Sequence, residues 1–238
     1  MDIREKIIIA LDAGTKEEAL ALAGQLDEAR IFKVGMELFT AEGPTLLEEM
    51  ARRDKKCFLD LKYHDIPNTV AGATRSAVRH GVAMLTLHVS GGREMMRRAA
   101  EAAADEAAKA GRARPLLLGV TVLTSLQDND LLAIGCPSPV GDQVPRLARL
   151  AKAAGLDGVV SSPQEIEVIK REMGKDFLVV TPGIRPAWAA AHDQKRILTP
   201  AEAVQLGADY LVIGRPVTAA PSPREALQRI LEEIKAGL

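Results

Sequence analysis

The chain has 238 residues, 47% of them hydrophobic, with 31 Lys and Arg against 32 Asp and Glu. That balance leaves no electrostatic basis for binding nucleic acid or an acidic membrane surface, so the expected partner is a small molecule. Two cysteines, Cys57 and Cys136, form neither a disulfide framework nor a zinc pattern, and the longest apolar run, Ile7 to Leu11, is far too short for a bilayer; the expectation is a soluble cytoplasmic protein.

The first predicted strand, Lys6 to Asp12, leads to Thr15-x-x-Glu18, a capping box that opens an Ala/Leu-rich helix to about Leu26. A second strand, Arg30 to Gly35, is followed after Gly43-Pro44 by a helix to about Arg53, with Leu46, Leu47 and Met50 at helical spacing. The third strand begins at Cys57 and carries Asp60-x-Lys62-x-x-Asp65. Side chains alternate along a strand, so Phe58, Asp60 and Lys62 share one face while Leu59 and Leu61 share the other. Pro67 ends the extended run and Asn68 reads as the N-cap of a helix from about Thr69 to Arg79, which leaves Asp65 in the turn between them.

The fourth strand, Met84 to Val89, turns at Ser90-Gly91-Gly92 into an Ala-rich helix to about Lys109, closed by Gly111. Leu116 to Leu123 reads as the fifth strand, with a short helix before the main one, Val140 to Ala154. Three shorter units complete the chain. They are Gly158 to Ser161 with a helix after Pro163, Phe177 to Val180 with a long loop to Thr199, and Tyr210 to Ile213 with a last helix from about Pro221.

Apolar strands alternating with helices over this length match a (β/α)8 TIM barrel, for which about 250 residues is typical. No linker or composition shift divides the chain, so residues 1–238 are read as one domain. A doubly wound open sheet is the runner-up, but Asp12-Ala13-Gly14-Thr15 is not the Gly-rich loop that such a fold usually places after its first strand. In a barrel the strand ends face one mouth, which here collects Asp12, Lys33, Asp60, Lys62 and, near the end of the fourth strand, His88. Cations and anions alternating at one mouth hold each other in place where like charges would repel. Gly214-Arg215 after the eighth strand offers backbone N–H groups and a forked cation to a phosphate, and the long loop after the seventh strand has the length of a lid.

The stretches IIIALD, FKVGMELF, FLDLKYHDIPNTV, GVTVLTS, TPGIRP with DQKRILTP, and ADYLVIGRPVT resemble the bacterial type of the orotidine 5'-monophosphate decarboxylase family, over nearly the whole chain. The resemblance implies a cofactor-free and metal-free lyase of pyrimidine biosynthesis acting on a nucleotide, with Lys33, Asp60, Lys62 and Asp65 as an alternating catalytic network. It further implies a homodimer in which Asp65, Ile66 and Thr69 enter the neighbouring subunit's site. Asp12 is expected at the ribose, Thr124 or Ser125 at the pyrimidine edge, Gln194 on the closing loop, and Arg185, Gly214 and Arg215 at the phosphate. The competing reading is a Mg²⁺-dependent sugar-phosphate lyase of the same suprafamily. Such lyases also carry DxKxxD but typically have an acid where this chain has Lys33, and a cation there repels Mg²⁺, which takes oxygen ligands.

Overall fold

A computed structural model of the chain describes residues 2–189 and 198–237. Eight parallel strands close into a barrel in chain order: β1 Ile7–Leu11, β2 Ile31–Gly35, β3 Lys56–Tyr63, β4 Met84–His88, β5 Leu116–Val120, β6 Gly158–Val160, β7 Leu178–Thr181 and β8 Tyr210–Ile213. The outer ring holds α1 Lys16–Gln25, α2 Met36–Glu42, α3 Thr45–Arg52, α4 Pro67–Arg79, α5 Arg93–Ala110, α6 Asp128–Ala133, α7 Val140–Ala153, α8 Ile166–Met173, α9 Pro200–Gln205, α10 Arg215–Thr218 and α11 Pro223–Ala236. The fold expected from the sequence is therefore the one observed.

Strand alternation divides the core in two. Ile7, Ile9 and Leu11 of β1, Phe32 and Val34 of β2 and Leu59 of β3 face outward into the layer shared with the helices. Ile8, Ile31, Phe58, Met84, Leu118 and Val180 fill the barrel itself. A strand buried on both faces needs apolar residues at every position, which is why β1 reads as an unbroken Ile/Ala/Leu run. Above the interior layer the inward positions switch from apolar to charged, to Lys33 two residues beyond Ile31 and to Asp60 two residues beyond Phe58. The switch lies toward the carboxyl ends of the strands.

Several boundaries differ from those expected. Helix α4 starts at Pro67 with Ile66 as its N-cap, not after Asn68, because proline has no N–H to lose in a first turn and its fixed φ is already helical. Strand β5 ends at Val120, three residues before Leu123: its register with β6 ends at the Val120 and Val160 pair, and the Thr121 N–H, donating to Val160 O, makes the last backbone bond of that ladder. The last helix starts at Pro223, where the Ser222 side chain accepts from the Glu225 N–H, and not near Pro221. Helix α2 lies ahead of Gly43-Pro44, where only one later helix was expected. Gln194 lies outside the described residues.

Candidate active site

Strand β3 supplies the centre of the site. The Lys62 ammonium donates to Asp60 Oδ2 at 2.9 Å, and Lys33 Nζ from β2 lies 3.8 Å from the same oxygen and 3.6 Å from Asp12 Oδ1. The order Asp12, Lys33, Asp60, Lys62 is thus an alternation of charge across three adjacent strands. The Asp60 and Lys33 side chains are only 13% and 15% exposed, so these charges are less screened than a surface pair would be. Asp12 is the solvent-facing end of the row.

Lys62 is one of two non-glycine residues with positive φ among those described, at 51°. Strands β3 and β4 lose register here: Leu59 pairs with Leu85 and Tyr63 with Leu87, so four steps on β3 match two on β4. The extra length is taken up as an irregularity between those two pairs, at the mouth of the barrel. Beside it the His64 and His88 rings stand 5.5 Å apart. Burial, reinforced by His64 and Lys62, holds His88 below the ordinary histidine range.

Two cavities meet at Lys33, Asp60 and Lys62. One, of about 200 Å³, is lined largely by apolar groups, Phe58, Val120, Val122, Leu123, Val160, Pro182 and Val212, with Thr124 and Ser161 as its other polar residues. The second, of about 190 Å³, opens toward Asp12, Gly35 and Glu37. Gly214 approaches this side closely: a Cβ added there would lie 3.2 Å from Asp12 Oδ2. Such a site offers an apolar cavity, a row of charges and a polar exit. That combination suits a planar ring carrying a polar tail.

The structure brings Asp12, Lys33, Asp60, Lys62 and Thr124 together around these cavities, and Ser125 is not among the lining residues. Asp65, Ile66, Thr69, Arg185, Gly214 and Arg215 line neither cavity. Arg185 is buried beyond β7, where its N–H donates to Leu198 O, and Arg215 opens α10 directly after Gly214. Asp65, Ile66 and Thr69 stand exposed on the rim, with Ile66 67% exposed. The Asp65 carboxylate accepts from the Ile66 N–H at 2.6 Å, and among the described residues it forms no salt bridge. Thr86 was missed by sequence reasoning, although it occupies an inward position of β4 between Met84 and His88. Its hydroxyl touches both Asp60 and the Lys62 backbone.

Comparison with known proteins gives a consistent result. A model described as the orotidine 5'-phosphate decarboxylase / HUMPS family matches residues 5–230. The orotidine 5'-phosphate decarboxylase of Geobacter sulfurreducens is 52% identical over 235 residues, covering 98% of each chain, and that of Nostoc sp. is 50% identical over 231 residues, covering 97% of each. The crystal structure of orotidine 5'-phosphate decarboxylase from Lactobacillus acidophilus superposes with a TM-score of 0.84 at 37% identity, covering 96% of this chain and 98% of that one.

Proposed function

The chain belongs to the orotidine 5'-phosphate decarboxylase / HUMPS family, and on that premise we propose that it converts orotidine 5'-monophosphate to uridine 5'-monophosphate without metal or cofactor. The bond from C6 to the carboxylate breaks, CO2 leaves, and the electron pair stays on C6 in an orbital with no adjacent electron sink. Lys62 meets that charge. Its ammonium stabilises the developing carbanion electrostatically, transfers a proton to C6, and regains one from solvent. Asp60, 2.9 Å away, keeps the ammonium aimed, and Lys33 completes the alternation toward Asp12.

The observation that carries this reading is the place of the Lys62 and Asp60 pair, at the junction of an apolar cavity sized for a ring and a polar one leading to Asp12 and Gly214. The base then lies in the apolar cavity with Thr124 at its edge, the ribose near Asp12, and the phosphate toward Gly214, Arg215 and Arg185. Binding energy from the remote phosphate helps organise the charged row. Asp65, Ile66 and Thr69, exposed on the rim, are assigned to the site of a second copy in a homodimer, where Asp65 faces the partner's lysine. The two cysteines are free, which fits a cytoplasmic enzyme.

Lys33 argues against the Mg²⁺-dependent lyases of the same family. Its ammonium stands between the carboxylates of Asp12 and Asp60, where a cation repels Mg²⁺ and no acid takes its place. The test is loss of the substrate's ultraviolet absorbance on mixing orotidine 5'-monophosphate with protein in excess chelator. Full turnover under chelation is expected. Turnover that vanishes with chelator and returns with Mg²⁺ would transfer the assignment to the lyases.

A further inference from the structure

We infer that Thr86 is a positioning residue for the Asp60 and Lys62 pair, fixing both through one hydroxyl; the kinetic part of this inference rests on the decarboxylase reading above. Thr86 is 0% exposed, on the inward face of β4. Its Oγ1 accepts from the Lys62 backbone N–H at 2.9 Å and donates to Asp60 Oδ1 at 2.9 Å. Neither direction can reverse, because an amide N–H only donates and a carboxylate only accepts. One hydroxyl proton is therefore committed to Asp60 and one lone pair to Lys62.

The need for it comes from the break in register. Where β3 runs four residues against two of β4, the Lys62 N–H has left the ordinary ladder and its φ of 51° is one that residues with a Cβ seldom adopt. The Thr86 hydroxyl takes the place of the missing ladder carbonyl. On the other side it divides the Asp60 carboxylate between two tasks. Oδ1 is tied to β4, while Oδ2 faces the Lys62 and Lys33 ammonium groups at 2.9 and 3.8 Å. Two other barrel threonines show the contrast: Thr121 and Thr181 donate to the main-chain carbonyls of Val160 and Ser161, as a strand threonine with a purely structural task does.

The test compares Thr86→Val, which keeps the branched shape and removes the hydroxyl, with Thr86→Ser, which keeps the hydroxyl. In substrate-free protein, hydrogen exchange of the Lys62 amide is expected to quicken by about tenfold or more in the valine variant, the order of one lost hydrogen bond, and to stay near wild type in the serine variant. With orotidine 5'-monophosphate, the valine variant is expected to lose about tenfold or more in kcat with KM little changed, and serine to restore kcat, since the lost alignment acts in the transition state. A Lys62 amide as protected in the valine variant as in wild type overturns the inference, and so does equal kcat loss in the serine and valine variants. If wild type itself fails to turn the nucleotide over, the decarboxylase reading falls while the exchange comparison still decides whether Thr86 holds Lys62. Should the valine variant not fold, Thr86→Cys, close in size and a weak donor, is measured in its place against the same two outcomes.

Discussion

Lys62 reaches Asp60 Oδ2 across 2.9 Å from a left-handed backbone conformation that strands do not use. The strand thus delivers the two side chains to one face and then departs from strand geometry at the residue assigned to chemistry. Backbone strain of this kind persists where surrounding contacts over-determine it, here the Thr86 hydroxyl and the Asp60 carboxylate.

Lys62→Ala is expected to lose about three orders of magnitude or more in turnover, since the variant removes both the electrostatic stabiliser and the proton donor. Its circular dichroism should match wild type. The strain adds a second expectation. Glycine in place of alanine ordinarily costs about 0.5–1 kcal/mol within regular elements, but at a φ of 51° it relieves the Cβ clash, so Lys62→Gly should be at least as stable as Lys62→Ala in denaturant titration. An alanine variant more stable than the glycine variant by the ordinary margin would show that the left-handed conformation is absent in solution.

The barrel was legible because its strands are dense and its helices are punctuated by caps and glycines. The alternation that put Phe58, Asp60 and Lys62 on one face holds, with Phe58 in the interior layer and Asp60 and Lys62 above it. The left-handed turn at Lys62 was not legible, since lysine gives no local sign of positive φ and the turn arises from the mismatch between β3 and β4. Thr86 was hidden for a related reason. A threonine inside an apolar strand reads as a β-former, and only the neighbouring strand reveals that its hydroxyl is needed. The end of β5 likewise depends on where β6 stops. The start of α4 was misread for a local reason, a proline taken as a terminator where it serves as the first helical residue.

His88 makes stability depend on pH. Its pKa in the folded chain lies below the ordinary 6.5, through burial first, then His64 and Lys62, with Asp60 opposing. The unfolded chain therefore binds the proton more tightly. The contribution of neutral His88 is fully present above the unfolded pKa and is lost as pH falls from there through the folded value. Urea midpoints taken near neutrality and about two units lower should fall less in His88→Gln than in wild type. Identical losses would place the sensitivity in other groups.

The two cysteines should react at different stages. Burial pushes the Cys57 thiol up to about 12, which leaves essentially no thiolate, whereas Cys136 is partly exposed. An aromatic disulfide reagent should therefore titrate one thiol in native protein and both in denaturant. Rapid modification of Cys57 in native protein would mean that β3 opens locally, which would also disturb Asp60 and Lys62 on the same strand.

The exposed carboxylate of Asp65 yields the test of assembly. Among the described residues it accepts from the Ile66 N–H and forms no salt bridge, although the resemblance places it in the catalytic network. Its assignment to a neighbouring subunit makes each site a composite of Lys62 from one chain and Asp65 from the other. Lys62→Ala and Asp65→Asn, each expected to be inactive alone, are mixed after reversible dissociation. With two equivalent chains, random pairing gives about half mixed dimers. In a mixed dimer one site receives both altered side chains and the other receives neither. One intact site in two, in half of the dimers, returns about a quarter of wild-type turnover, again on two-fold closure. If Lys62 and Asp65 served the same site from one chain, every site would carry one lesion and nothing would return. A mixture that stays silent after proven subunit exchange therefore places Asp65 in its own chain's site, against the geometry seen at the rim.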